Sequence, residues 1–311
     1  MKAALILALF ILLRGSEGNV LKILQRTGAD QISFCNVFFF SSLITGLVML
    51  TIDHVNVKTQ IRNLSQRDRK LLFWQGFLGY FLGPVGFFLA LEHLSVVAQT
   101  LLFSLTIPLS TLAARVFLHE KLPKQFPLVL ILICLGIFLG SQSANGAMTM
   151  LASEQRLVGV IWAAIAIFSF AIGGILNSVC SSRGMGVGIT VGVGSTSSAL
   201  VFAVLALLFY GPQHFITLQE WWVLSVIGLY GITISLGSQW TLMLSYQSLG
   251  VAQISLWSSL TLIVALLGAN LLLGEPLGFW AFSGAIIILL GLTINQLSSL
   301  QLKQRQDHYV K

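Results

Sequence analysis

The chain has 311 residues, 56% of them apolar and 9% charged, where an ordinary soluble domain is about 25% charged. That leaves too little polar surface to cover a water-exposed globule, so lipid is the expected solvent for most of the chain and a soluble globular class is excluded. The formal net charge of +7 does not point to nucleic acid, because the basic residues lie between apolar runs rather than on one face of a folded domain.

Ten segments are long enough to cross a hydrocarbon core that needs about 20 apolar residues per helix. Span one, 3–25, could pass for a secretory signal, but no A-x-A-like site follows and it is read as a retained helix. It carries Arg14, Glu17, Asn19 and Lys22. A rise of about 1.5 Å per residue puts Arg14 near the midplane. A lone charge there costs on the order of 2.5–3.5 kcal/mol, and Arg14 and Glu17, three apart on one helical face, are placed to pair and lower that cost. Lys22 lies nearer the other end, where its stem can snorkel.

Span two is 31–52 and contains Asn36. The basic stretch 53–70 reads as a loop that meets the headgroups of anionic membrane lipid. Span three, 71–91, contains Tyr80, Gly83 and Pro84 in GYFLGPVGF. In span four, 94–118, the hydroxyls of Ser104 and Thr106 can bond back to helix carbonyls and ease bending. Span five, 124–142, closes a first five-helix half, 1–142, and the small polar stretch 143–156 is a linker. Spans six and seven are 157–179 and 185–210; the glycines at 188, 192 and 194 with Ser195 to Ser198 form a small-residue face for packing in the bundle or against a second copy, a homodimer. Span eight, 221–245, carries Gln239 and Trp240. Spans nine, 250–274, and ten, 278–299, complete the second half, 157–299, before a tail at 300–311.

The two halves repeat one another. Residues 93–122 and 248–277 are related by a shift of 155, with eleven of thirty positions identical. Six of those are Leu, so the weight rests on Val96/Val251, Ser104/Ser259, Thr106/Thr261, Ala114/Ala269 and Glu120/Glu275, and Gly136/Gly291 keep the register. Five spans in each half reverse the direction of the chain, so the expected fold is all-α and integral to the membrane, ten transmembrane helices in two inverted five-helix repeats. At the shift of 155, Pro84 aligns with Gln239. Interrupted helices at matching positions are the pattern of a transporter site, while the competing readings are a tolerated kink at Pro84 and an interhelical hydrogen bond from Gln239. Twelve Lys and Arg fall in the N-terminus, the even-numbered loops and the tail, against Arg26 and Arg156 on the other side. This bias places both termini in the cytoplasm, in a plasma or inner membrane.

The doubled L-x-E-x-L ending, at Leu118 to Leu122 and Leu273 to Leu277, with Gly136 and Gly291, resembles the EamA-type permeases of the drug/metabolite transporter superfamily. The resemblance spans nearly the whole chain and implies two inverted halves of five helices and a carrier for a small metabolite. Span one, with Arg14, Gly15, Ser16, Glu17 and Lys22, looks like the family's aromatic-Gly-Ser-Asn opening. Arg14 replaces the aromatic and Glu17 the Asn, and Asn36 lies near where the family often has an Arg. The family carries amino acids, sugars, nucleosides, phosphorylated metabolites and drugs, and the resemblance implies a proton-coupled or facilitative exporter.

The five histidines, at 54, 93, 119, 214 and 308, fall at helix ends, in loops or in the tail, and Cys35, Cys134 and Cys180 have no ligand spacing. No metal, cofactor or enzymatic activity is therefore expected. The candidate site for substrate or coupling ion is Arg14, Glu17, Asn19, Tyr80, Pro84, Gln239 and Trp240. In this reading Arg14 attracts an anionic group, Glu17 exchanges with a proton or a substrate amine, and the chain moves a small metabolite such as an amino acid outward by alternating access. A structural ion pair at Arg14 and Glu17 is the competing account, and a membrane-embedded enzyme or assembly factor the competing class.

Overall fold

The computed structural model describes residues 2–27, 33–118, 122–142, 154–213, 215, 221–248 and 257–310. Among the described residues the chain is helical throughout and contains no strand. Among these residues seven helices are long and apolar enough to cross a membrane: Ala4–Thr27, Phe34–Ile52, Gln66–His93, Val96–Leu118, Glu154–Ser182, Gly188–Phe209 and Phe279–Ser298. Phe126–Gly140 and Thr261–Leu273 are shorter apolar helices, and 221–248 is a further helical run. The expected linker 143–156, apart from its last three residues, and the first copy of L-x-E-x-L between 119 and 121 lie outside the described residues.

Two expectations are revised. The stretch 53–70 is not a plain loop: it folds as a helix, His54–Asn63, and the opening turn of Gln66–Gly76, where the Ser65 hydroxyl accepts the Asp68 N–H at 3.2 Å as an N-cap. Its helicity escaped the hydropathy reading because it has no apolar run. The helix of span ten also continues past 299, through the expected tail, to Val310.

The helices gather into two compact units that do not coincide with the two halves of the sequence. The first comprises 1–19, 90–163 and 238–311, and the second 20–89 and 164–237. In the first, Phe126–Gly140 lies against Phe279–Val310 with backbones nearly touching: a Cβ on Gly136 would sit 2.6 Å from the Gly284 carbonyl oxygen, so a side chain at either position would push the helices apart. Leu7, Phe10 and Ile11 of span one pack on Leu242, Leu260 and Val264.

In the second unit, Phe34–Ile52 packs along Gly194–Phe209 and the segments before and after it. Phe38 meets the rings of Phe88 and Phe202 with centroids 5.8 and 5.6 Å away. The small-residue face is used inside this unit, where Gly46 lies against Thr196 and Gly192 against Leu50. Polar groups fasten the chain after span six: the Gly188 N–H donates to Asp53 at 3.2 Å, the Gly186 N–H to Gln60 at 2.9 Å, and Arg183 pairs with Asp68 at 2.8 Å.

Candidate functional site

Span four is discontinuous. Helix Val96–Phe103 gives way at Ser104 and Leu105 to a tighter turn before Thr106–Leu118 resumes. The Ser104 N–H and hydroxyl both donate to the Leu101 carbonyl, at 3.3 and 2.6 Å, and the Leu105 N–H donates to Leu102 at 3.0 Å. These are i to i−3 bonds, which overwind the backbone relative to an α-helix. In span nine the turn at 259 and 260 stands in the same relation to helix Thr261–Leu273. There Leu260 donates to Trp257 at 3.0 Å, and the Thr261 hydroxyl donates to the Ser258 carbonyl at 2.7 Å. The two turns are 155 residues apart, and both lie in the first unit. The doubled Ser-Leu-Thr thus falls at the interruption of span four and at the turn that leads into helix Thr261–Leu273 of span nine.

Spans three and eight also depart from α geometry. Phe77–Leu82 and Gly231–Leu236 are wound as π-helix, and the shift of 155 carries 77–82 to 232–237, one residue from the observed segment. In span three the cause is local: Pro84 has no N–H to give the Tyr80 carbonyl, and the Gly83 N–H reaches back five residues to Leu78. No proline occurs in 221–248, where the π-segment lies between Gly231 and Gly237.

Arg14 and Glu17 are paired, with their side chains 35% and 19% exposed. Helix one can bring them close to span nine because Gly15 has no side chain: a Cβ there would lie 2.6 Å from that of Val264. Asn19 is fully buried and donates to the Ala265 carbonyl at 3.0 Å, against the bare face of Gly268. Asn19 is therefore a bolt between spans one and nine. Gln239 and Trp240 are half-buried in helix Gly237–Ser248 and belong, like Arg14, Glu17 and Asn19, to the first unit. Tyr80 and Pro84 belong to the second, where the Tyr80 ring covers Gly194.

Glu275 marks the second L-x-E-x-L ending and lies outside the residues expected in the site. Its side chain is more deeply buried than that of Glu17, contrary to the expectation that span one holds the buried charge. The carboxylate accepts the N–H groups of Val96 and Val97, and so terminates the helix-end dipole of span four. Gly274, at φ +66, ends helix Thr261–Leu273 in the left-handed conformation that lets the chain turn back, and Asn270 donates to the Glu275 carbonyl at 2.9 Å. The sequence signal was present: the acid recurs in both copies while its neighbours change. Among the described residues no group of His, Cys, Asp and Glu is arranged to hold a metal ion.

The model of the EamA-like transporter family matches residues 2–142 and 157–296. The chain belongs to the EamA-like transporter family. As an EamA-like protein with several membrane-length apolar helices, it is a multi-pass membrane transporter. It is 28% identical over 290 residues to the protein named Uncharacterized transporter sll1164 from Synechocystis sp. (strain ATCC 27184 / PCC 6803 / Kazusa), covering 90% of this chain and 80% of that one. A solved crystal structure superposes with a TM-score of 0.56 at 17% identity over 95% of both chains, a likeness of fold.

Proposed function

We propose that this EamA-like protein is a secondary transporter that moves a small zwitterionic metabolite, of the amino-acid class, by alternating access. The reading takes the chain as ten spans in two inverted repeats, with both termini in the cytoplasm of a plasma-membrane protein and export as the working direction. The observation that carries it is the turn at Ser104 and Leu105 recurring 155 residues later before helix Thr261–Leu273, with the π-wound segments of spans three and eight one residue off that shift. A helix interrupted in the membrane exposes backbone groups that a continuous helix would satisfy internally, and carriers use such breaks to bind substrate and to hinge. Arg14 supplies a cation for the substrate carboxylate, and Glu17 an anion for its ammonium group. Their mutual pairing, supported by the observed contact, keeps both charges compensated when substrate is absent. Gln239 and Trp240 add a polar and an aromatic contact from span eight, and Tyr80 and Pro84 shape span three.

The test is counterflow in proteoliposomes. Vesicles preloaded with an unlabelled mixture of the protein amino acids are diluted into the same amino acids labelled with 14C. Saturable accumulation of label above protein-free vesicles is expected, and uptake equal to those vesicles would overturn the proposed substrate class.

A further inference from the structure

Gln99 is fully buried in helix Val96–Phe103, and neither atom of its side-chain amide has a hydrogen-bond partner among the described residues. Asn19 and Gln25 each use one end of the amide: Asn19 donates to the Ala265 carbonyl at 3.0 Å, and Gln25 to the Phe88 carbonyl at 2.8 Å. A buried primary amide with both ends unused costs more than a hydrogen bond contributes, so a merely structural position would favour Leu or Met. The surrounding turns are well satisfied, with Glu275 on the Val96 and Val97 amides and Ser95 capping Ala98 at 3.2 Å. The unused capacity is therefore confined to the side chain. Beyond it comes the interruption at Ser104 and Leu105, and on the far side of that the buried hydroxyl of Thr106 is also without a partner among the described residues.

We infer that Gln99 and Thr106, flanking the interruption of span four, are substrate-contacting groups of the transport pathway. The amide offers two N–H donors and one carbonyl acceptor, and the hydroxyl offers one of each. The complementary ligand is a small molecule with a carboxylate or carbonyl oxygen and an N–H or O–H within a few bonds, which matches an amino-acid-like substrate. Polar groups held without partners in one state and engaged in another store a cost that substrate relieves, as functional sites do at the expense of stability. The inference rests on the reading of the chain as an alternating-access carrier.

Two measurements test it, and the first needs no knowledge of the substrate. In a background with Cys35, Cys134 and Cys180 replaced by Ser, Gln99→Cys is compared with Val97→Cys and Leu101→Cys on the same helix, which start from similarly buried positions. The probe is the water-soluble cation methanethiosulfonate ethyltrimethylammonium, applied to protein in proteoliposomes. If Gln99 faces the pathway in part of the cycle, its cysteine should be modified at least about tenfold faster than the two controls. Equal inertness of all three would overturn the inference.

In the second measurement, Gln99→Met should raise the melting temperature by about 2 °C or more while amino-acid counterflow is lost. A stabilised Gln99→Met protein with undiminished counterflow would make Gln99 a costly core residue and overturn the inference, leaving the carrier reading intact. Absence of counterflow in the wild type would count against the substrate class alone, and the labelling comparison would still decide whether Gln99 reaches water.

Discussion

The carboxylate of Glu275 accepts the backbone N–H groups of Val96 and Val97 at 2.9 and 3.0 Å, joining the turn that ends span nine to the first turn of span four. One oxygen serves each amide, so both carboxylate oxygens are engaged where the unpaired N–H groups of a helix start would otherwise be buried. Glu275→Ala should lower stability by about 1–3 kcal/mol, and Glu275→Gln, which keeps one acceptor, by roughly half as much. Thermal unfolding of the detergent-purified variants measures this; equal melting temperatures for all three proteins would show that the contact carries no stability.

The pair of Arg14 and Glu17 separates a structural from a transport role. Either single neutral substitution removes one member of the pair and its compensation of the other, so Arg14→Leu alone and Glu17→Gln alone should each lower expression and melting temperature. The double substitution should restore both, because neither member of the pair is left without the other, yet transport should stay lost. Full counterflow in the double variant would reduce the pair to a structural element.

Glycines with different surroundings should respond in opposite directions to the same change. Gly284→Ala forces a methyl group against the backbone of Gly136 and Gly140, where no flexible side chain can yield. A loss of about 2 kcal/mol is expected from the overpacking. Gly174→Ala meets nothing within 4 Å and should be neutral or stabilising by about 0.5–1 kcal/mol through its helix preference. Melting temperatures that fall equally for both would contradict the close approach of the two helices.

The charge bias makes an orientation testable. In the cysteine-free background, single cysteines at Arg67 and Gln304 should be shielded from an impermeant thiol reagent in intact cells, whereas one at Ser153 should react. Labelling of position 67 from outside would reverse the assignment of sides and remove the basis for cytoplasmic termini.

Much of the helical scaffold is legible because hydropathy acts over about 20 consecutive residues, and lipid imposes the same demand on each. The interruption of span four is legible for a second reason: Ser104 offers a local hydroxyl to the Leu101 carbonyl, and its repetition at Ser259 marks the position twice. Pro84 marks the π-segment of span three through its missing donor, while span eight winds the same way without a proline and gives no comparable signal. Helix His54–Asn63 escaped because its basic composition is that of a loop, and only its fastening to Gly186 and Gly188 shows what it holds. The partners of Glu275 could not be read from its neighbourhood, since they lie in a different half of the sequence.

That separation has a consequence for how the protein is made. Glu275 follows Val96 by 179 residues, so at a synthesis rate of about 5–20 residues per second the start of span four waits roughly 10–35 s for its acceptor. Throughout that interval the nascent first half carries an unsatisfied helix end, which insertion machinery or lipid headgroups must shelter until span nine arrives.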